Sequence, residues 1–189
     1  AGPYAQLRDG GDINLWVRPS RAREVESDTL MALNRRARAW LENYFGVPYP
    51  FDKLDFLLAP AFPFGGMEHP GAIFYNEESF IYREPPTLNQ RLGRQATINH
   101  EVAHQWFGDF TTMRWFDDLW LKEGFATYMA AKMQAATGDS SAWMSFYLRN
   151  KPAAYDVDAS AGTTPVWQDL ANLDQAKSNY GAIVYNKAP

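Results

Sequence analysis

The chain has 189 residues, of which 46% are hydrophobic, a net charge of −4 and no cysteine. This length and apolar content support one globular domain with a substantial core and exclude a disordered chain. The acidic balance, without any long basic run, gives no electrostatic support for nucleic-acid binding, and the missing cysteines exclude disulfides, thiolate zinc sites and cysteine nucleophiles.

Residues 12–18 alternate polar and apolar, which predicts a strand ended by Pro19. A helix follows over residues 22–45, where Leu30, Leu33, Ala37, Trp40, Leu41 and Tyr44 recur on one face. Gly46 suits its C′ position, and Pro48 and Pro50 force extended chain beyond it. The cluster Arg35, Arg36 and Arg38 reads as a solvated helix face. The apolar run 53–59 predicts a strand, a Pro/Gly/aromatic loop occupies 60–71, and a further strand lies near 72–75. After Pro85 and Pro86, Thr87 can cap a long helix running to about residue 107 and closed by Gly108. Asp117 or Asp118 is placed to cap the next helix, which Gly138 ends. The last fifty residues read as shorter helices and loops. Strands first and helices later predict an α+β domain. No apolar run approaches about 18 residues, so no membrane-spanning segment is expected. No signal-peptide pattern opens the sequence, and no compartment is assigned. The seven Trp, ten Tyr and twelve Phe predict a large aromatic core or surfaces packed on further domains.

The long helix carries Asn99-His-Glu-Val-Ala-His104. Histidines four apart on a helix lie one turn apart and about 40° around the axis, so both imidazoles can converge on one metal ion. Glu101, rotated about 100° from His100, falls beside that ion, where a general base takes a proton from water. The flanking Ile98, Val102, Ala103, Trp106 and Phe107 predict a helix buried on much of its circumference, and buried imidazoles need partners. The pattern reads as a zinc hydrolase rather than a helix with two surface histidines. A catalytic zinc takes three protein ligands. No histidine follows His104, and Phe110 stands where a metzincin has its third. The third ligand is therefore a carboxylate or His69. Asp109, Asp117, Asp118 and Glu123 are the downstream candidates. Asp109 would face about 140° away on a continued helix. Glu123 lies inside the next helix, where Gly124 leaves room for close helix approach, and is the favoured choice. A zinc deaminase is excluded because its H-x-E signature requires a later P-C-x-x-C.

Glu123 follows His104 after eighteen residues, within Trp120-Leu-Lys-Glu-Gly-Phe-Ala-Thr-Tyr128. This arrangement resembles the zinc signature of the M1 aminopeptidases, the gluzincins that include aminopeptidase N and leukotriene A4 hydrolase. The flanks His104-Gln-Trp-Phe-Gly108 and Asp117-Asp-Leu-Trp120 are similar too. Upstream, Gly65-Gly-Met-Glu-His69 is similar to the family's second motif, G-x-M-E-N, with His69 in place of asparagine. The stretch 62–70 is nearer to the leukotriene hydrolase and aminopeptidase B branch and the zinc flanks nearer to aminopeptidase N, so no branch is assigned. The resemblance covers roughly residues 40–188.

The resemblance implies a thermolysin-like α+β catalytic domain holding one Zn2+ per chain through His100, His104 and Glu123, with Glu101 as catalytic base. It implies that Glu68 binds the free α-amino group of a peptide substrate. Gly65, Gly66 and Met67 complete that binding segment, the glycines letting backbone approach the peptide. His69 is expected to bring a titratable ring near the metal. Tyr185-Asn-Lys-Ala-Pro189 resembles the family's Y-x-K-G-A segment, which implies that Tyr185 stabilises the oxyanion. Tyr180 is its rival but lacks the x-Lys continuation. Residues 1–20 are expected to end a preceding β-rich domain, and 21–189 to form a catalytic domain truncated at its C-terminal end, with N- and C-terminal domains of the same protein as partners. The implied activity is zinc-dependent hydrolysis of the N-terminal peptide bond. A related zinc hydrolase acting as an endopeptidase or on an epoxide, and a non-catalytic scaffold of the same fold, are the alternatives.

Overall fold

A computed structural model describes residues 2–8 and 11–189. Five strands form one mixed sheet: β1 (Ala5–Arg8), β2 (Ile13–Val17), β3 (Leu54–Ala59), β4 (Gly66–Met67) and β5 (Ala72–Asn76). Their spatial order is β1-β2-β3-β5-β4, with β2, β3 and β5 parallel and the edge strands antiparallel. The register pairs Leu15 with Phe56 and Leu58 with Tyr75. Because side chains alternate along a strand, Ile13, Leu15, Val17, Leu54, Phe56, Leu58, Ile73 and Tyr75 share one face and are completely buried.

The helices cover that face. They are α1 (Ser27–Phe45), α2 (Glu77–Phe80), α3 (Leu88–His104), α4 (Leu119–Ala136), α5 (Ala142–Ser145), α6 (Lys151–Asp158) and α7 (Leu173–Ser178). Two π turns, Phe146–Asn150 and Ile183–Lys187, complete the C-terminal part. α3 packs between α1 and α4. Phe45, Tyr49, Trp106, Phe107 and Phe125 interlock beside these helices, which accounts for part of the aromatic load. The architecture is α+β, and no helix among the described residues is long and apolar enough to cross a membrane.

Local signals placed most boundaries correctly. Gly46 closes α1 in the left-handed conformation at φ 65°. Thr87 caps α3 in a reciprocal box with Gln90. α1 starts five residues later than its periodicity predicts. Pro19–Arg21 form a 3₁₀ turn, and Glu26, at the N-cap, is drawn into a 2.7 Å ion pair with Arg94, which is buried. Neither Asp117 nor Asp118 caps α4 through its side chain. Asp117 instead accepts a 2.9 Å bond from the Leu170 amide, in a loop that sequence reading could not bring to it. The short α2 was not anticipated. Asn76 caps it, and the fully buried Glu77 is paired with Arg18 and Arg21.

The expectation that residues 1–20 end a separate β-rich domain meets a different arrangement. β1 and β2 belong to this same sheet, and Ile13, Leu15 and Val17 share its core.

Candidate metal centre

His100 and His104 project from the last turns of α3, and Glu123 from the second turn of α4. His104 Nε2 lies 3.0 Å from His100 Nε2 and 3.2 Å from Glu123 Oε2, and His100 Nε2 is 3.4 Å from the same oxygen. Two imidazole nitrogens and a carboxylate oxygen thus face one small volume. A shared cation would give each of these three donor atoms a partner.

The far sides of the rings favour this use. His104 Nδ1 is 2.9 Å from the Phe107 carbonyl, which only accepts, so Nδ1 carries the proton and Nε2 presents its lone pair. His100 Nδ1 lies 3.4 Å from Thr127 Oγ1, one turn beyond Glu123. Burial alone would raise the Glu123 pKa, but the two imidazoles outweigh it and hold the carboxyl well below the usual range. Burial also disfavours a charged His104, and Glu123 reverses that to raise its pKa.

The other proposed third ligands lie elsewhere. Asp109 accepts from Gln105 Nε2 at 3.1 Å, and burial, with Glu68 nearby, pushes its pKa up to about 7. Asp117 is tied to Leu170. His69 is exposed, its ring 4.7 Å from that of Phe74, so the expected titratable ring beside the metal is not in the cluster. Glu68 is buried while its neighbour His69, just beyond the end of β4, is turned out to solvent.

Glu101 is buried next to the cluster, and its Oε2 has no hydrogen-bond partner. Burial, reinforced by Glu68 and Glu123 and opposed by His100, raises its pKa to about 8. The segment 65–68 runs along it. A Cβ on Gly66 would sit 2.5 Å from Glu101 Cγ, so glycine at this position is what lets Glu101 occupy its place. The two glycines were expected to make room for a bound peptide, whereas Gly66 makes room for a side chain of the protein. Gly66→Ala is therefore expected to displace the Glu101 carboxylate and lower kcat/KM about 10²-fold while the metal stays bound. Steady-state kinetics and metal analysis on the purified variant check this.

Glu68 is buried, with its Oε1 2.5 Å from Lys122 Nζ. Burial works to raise its pKa, but His104 and Lys122 win and lower it. Lys122 also stands 3.6 Å from Glu123 Oε1 and so bridges the two carboxylates. Sequence reasoning missed Lys122, although its position beside Glu123 on α4 was a usable signal.

The Tyr185 ring stacks on His100 at 6.2 Å and 28°. Burial, then the Glu123 carboxylate, raise its hydroxyl pKa far above the ordinary value and keep it protonated. Tyr185 sits on the Ile183–Lys187 π turn, which packs on α4 at Gly124, where a Cβ would lie 2.8 Å from the Val184 carbonyl. Gly124 therefore admits the segment bearing Tyr185. Gly66, Glu68, His100, Glu101, Glu123 and Tyr185 line one cavity of about 1250 Å³, and Tyr180 reaches the same space.

Fold and geometry define an α+β protein in which two histidines and one carboxylate could hold a metal ion, beside a buried glutamate whose Oε2 has no partner. Residues 31–189 match the peptidase family M1 domain. Aminopeptidase N of Streptomyces lividans is 37% identical over 98% of the chain, and leucyl aminopeptidase of Saccharolobus solfataricus is 30% identical over 98%. Endoplasmic reticulum aminopeptidase 1 of Rattus norvegicus is 35% identical over 77%. The chain belongs to peptidase family M1. It spans 23%, 24% and 16% of the lengths of these three relatives.

Proposed function

We propose that this chain supplies the catalytic centre of a zinc-dependent aminopeptidase that hydrolyses the N-terminal peptide bond of peptides. The observation that carries the proposal is one cavity lined by His100 and Glu123, both in reach of the buried His104, together with the unpartnered Glu101 and the buried carboxylate of Glu68. The names of the relatives support the same reading.

Two neutral imidazoles and one carboxylate are a donor set of catalytic zinc sites, so His100, His104 and Glu123 would hold one Zn2+. When bound, the zinc supplies Lewis acidity, polarising the substrate carbonyl and acidifying water. Glu101 takes the proton from the attacking water on its free oxygen and returns it to the leaving nitrogen. Tyr185 donates its phenolic hydrogen to the oxyanion. Glu68, ion-paired with Lys122, accepts a charge-assisted hydrogen bond from the substrate α-ammonium. Gly65, Gly66 and Met67 present the backbone of the outermost strand to the peptide.

The decisive experiment couples metal analysis to an aminoacyl-chromogen assay on the full-length protein containing this chain, with and without a chelator. About one zinc per chain and chelator-sensitive release are expected. Zinc-free protein without activity would favour the scaffold. Glu68→Ala is expected to lower kcat/KM for free-amine substrates about 10- to 100-fold, since a hydrogen bond to a charged group contributes ~1.5–3 kcal/mol. N-acetylated peptides should be poor substrates for the unaltered protein. Their efficient cleavage would point to an endopeptidase.

A further inference from the structure

Glu68 matters to the proposed reaction only if its carboxylate stands at a set distance from the metal cluster. The sheet does not provide that. The β4–β5 ladder stops at the Met67–Phe74 pair, so residues 68–71 lie outside it.

Beyond the ladder, the Ala72 amide donates to the His69 carbonyl at 2.8 Å and the Asp55 amide to the Gly71 carbonyl at 3.0 Å. One side chain holds the Glu68 carbonyl and the Gly71 amide. Gln105 Nε2 donates to the Glu68 carbonyl at 2.9 Å, and Gln105 Oε1 accepts from the Gly71 amide at 2.9 Å. The same side-chain amide donates to Asp109 Oδ2 at 3.1 Å and accepts from the Tyr49 hydroxyl at 3.2 Å. Both of its N–H donors and both acceptor lone pairs are thus used, in a side chain that is completely buried. A flipped amide would set Nε2 against the Gly71 N–H and Oε1 against the Glu68 carbonyl, so only one orientation is tenable. Gln105 directly follows the cluster residue His104 at the C-terminal end of α3.

We infer that Gln105 is a positioning residue that sets the distance between the amine anchor Glu68 and the His100–His104–Glu123 cluster, and thereby the register of a peptide N-terminus on the reacting centre. The inference rests on the aminopeptidase reading. Gln105 does not line the cavity and acts through the Glu68 backbone. Without it, the Glu68 carbonyl and the Gly71 amide lose their buried partner, and the anchor is free to relax while α3 keeps its own helical bonds.

The test compares two inhibitors of the zinc-loaded full-length protein: leucine hydroxamate, and its analogue lacking the α-amine. The neutral, similarly shaped Gln105→Met variant should bind leucine hydroxamate about tenfold more weakly. Its inhibition by the amine-free analogue should stay within about twofold, with one zinc per chain. Equal weakening of both inhibitors, as a merely structural role would give, or unchanged preference for the amine, would overturn the inference. Should the unaltered protein itself show no preference for the amine, it is the anchor role of Glu68 that fails. If the variant does not retain zinc, hydrogen exchange on the unaltered protein decides. The Gly71 amide should be strongly protected, and rapid exchange there overturns the inference.

Discussion

Glu101→Gln is expected to keep one zinc per chain and to lower turnover by about two to four orders of magnitude, the range for loss of a general base. Gln has the shape of Glu, so it fills the space that Gly66 leaves open. Glu101 lies outside the group formed by His100, His104 and Glu123 but shares a second donor group with Glu68 and His104, so zinc retained in the variant assigns the ion to the first group. What the variant lacks is an oxygen that can accept and return a proton. Turnover unchanged in this variant would remove Glu101 from the mechanism. The same substitution has a pH signature in zinc-free protein. The Glu101 pKa is raised by burial to about 8, so its stabilising contribution is complete below the ordinary carboxylate range and is lost as pH rises through about 8. The uncharged amide of the variant has no such loss. Metal-free Glu101→Gln should therefore melt above the metal-free parent at pH 8 to 9, with the difference fading near pH 4.5. A difference that does not vary with pH would contradict a buried, titrating carboxylate.

Glu123→Ala is expected to weaken metal binding by about two to four orders of magnitude, corresponding to the ~3–5 kcal/mol cost of removing one partner from a buried charged group. The variant should emerge from dialysis with little zinc and no measurable aminopeptidase activity. The physical reason lies in the pair of imidazoles. His104 is completely buried, and Glu123 is what outweighs the desolvation that disfavours its charged form. Without Glu123, a dication faces two neutral nitrogens and no compensating charge. Retention of stoichiometric zinc after dialysis would return the third-ligand role to another carboxylate.

Much of the site was legible because it is local. The four-residue spacing of His100 and His104 placed both rings on one side of α3, and the same periodicity put Glu101 beside them. Elimination, using the missing later histidines and cysteines, left the carboxylates and His69, and Glu123 is the one that meets both rings. Helix ends were legible where capping chemistry is contained in the chain, as at Thr87 and Gly46. They were not where a distant residue competes for the cap, as Arg94 does for Glu26 and Leu170 for Asp117. What Gly66 adjoins inside the protein stayed hidden for a similar reason. Its neighbour is Glu101, on another element, and no local pattern announces that contact.

By itself the sequence determined an α+β domain, a helix with two histidines spaced to meet one ion, a glutamate beside them and the family resemblance. These follow from composition, helical and strand periods, and motif spacing, all of which act over a few residues. Only the tertiary structure decided that Lys122 joins the carboxylates of Glu68 and Glu123, that β1 and β2 share the core sheet, and that Gln105 holds the loop bearing Glu68. Those contacts join residues far apart in the chain, 37 positions for Gln105 and Glu68, and arise only when burying the sheet face against α1 and α3 brings them together.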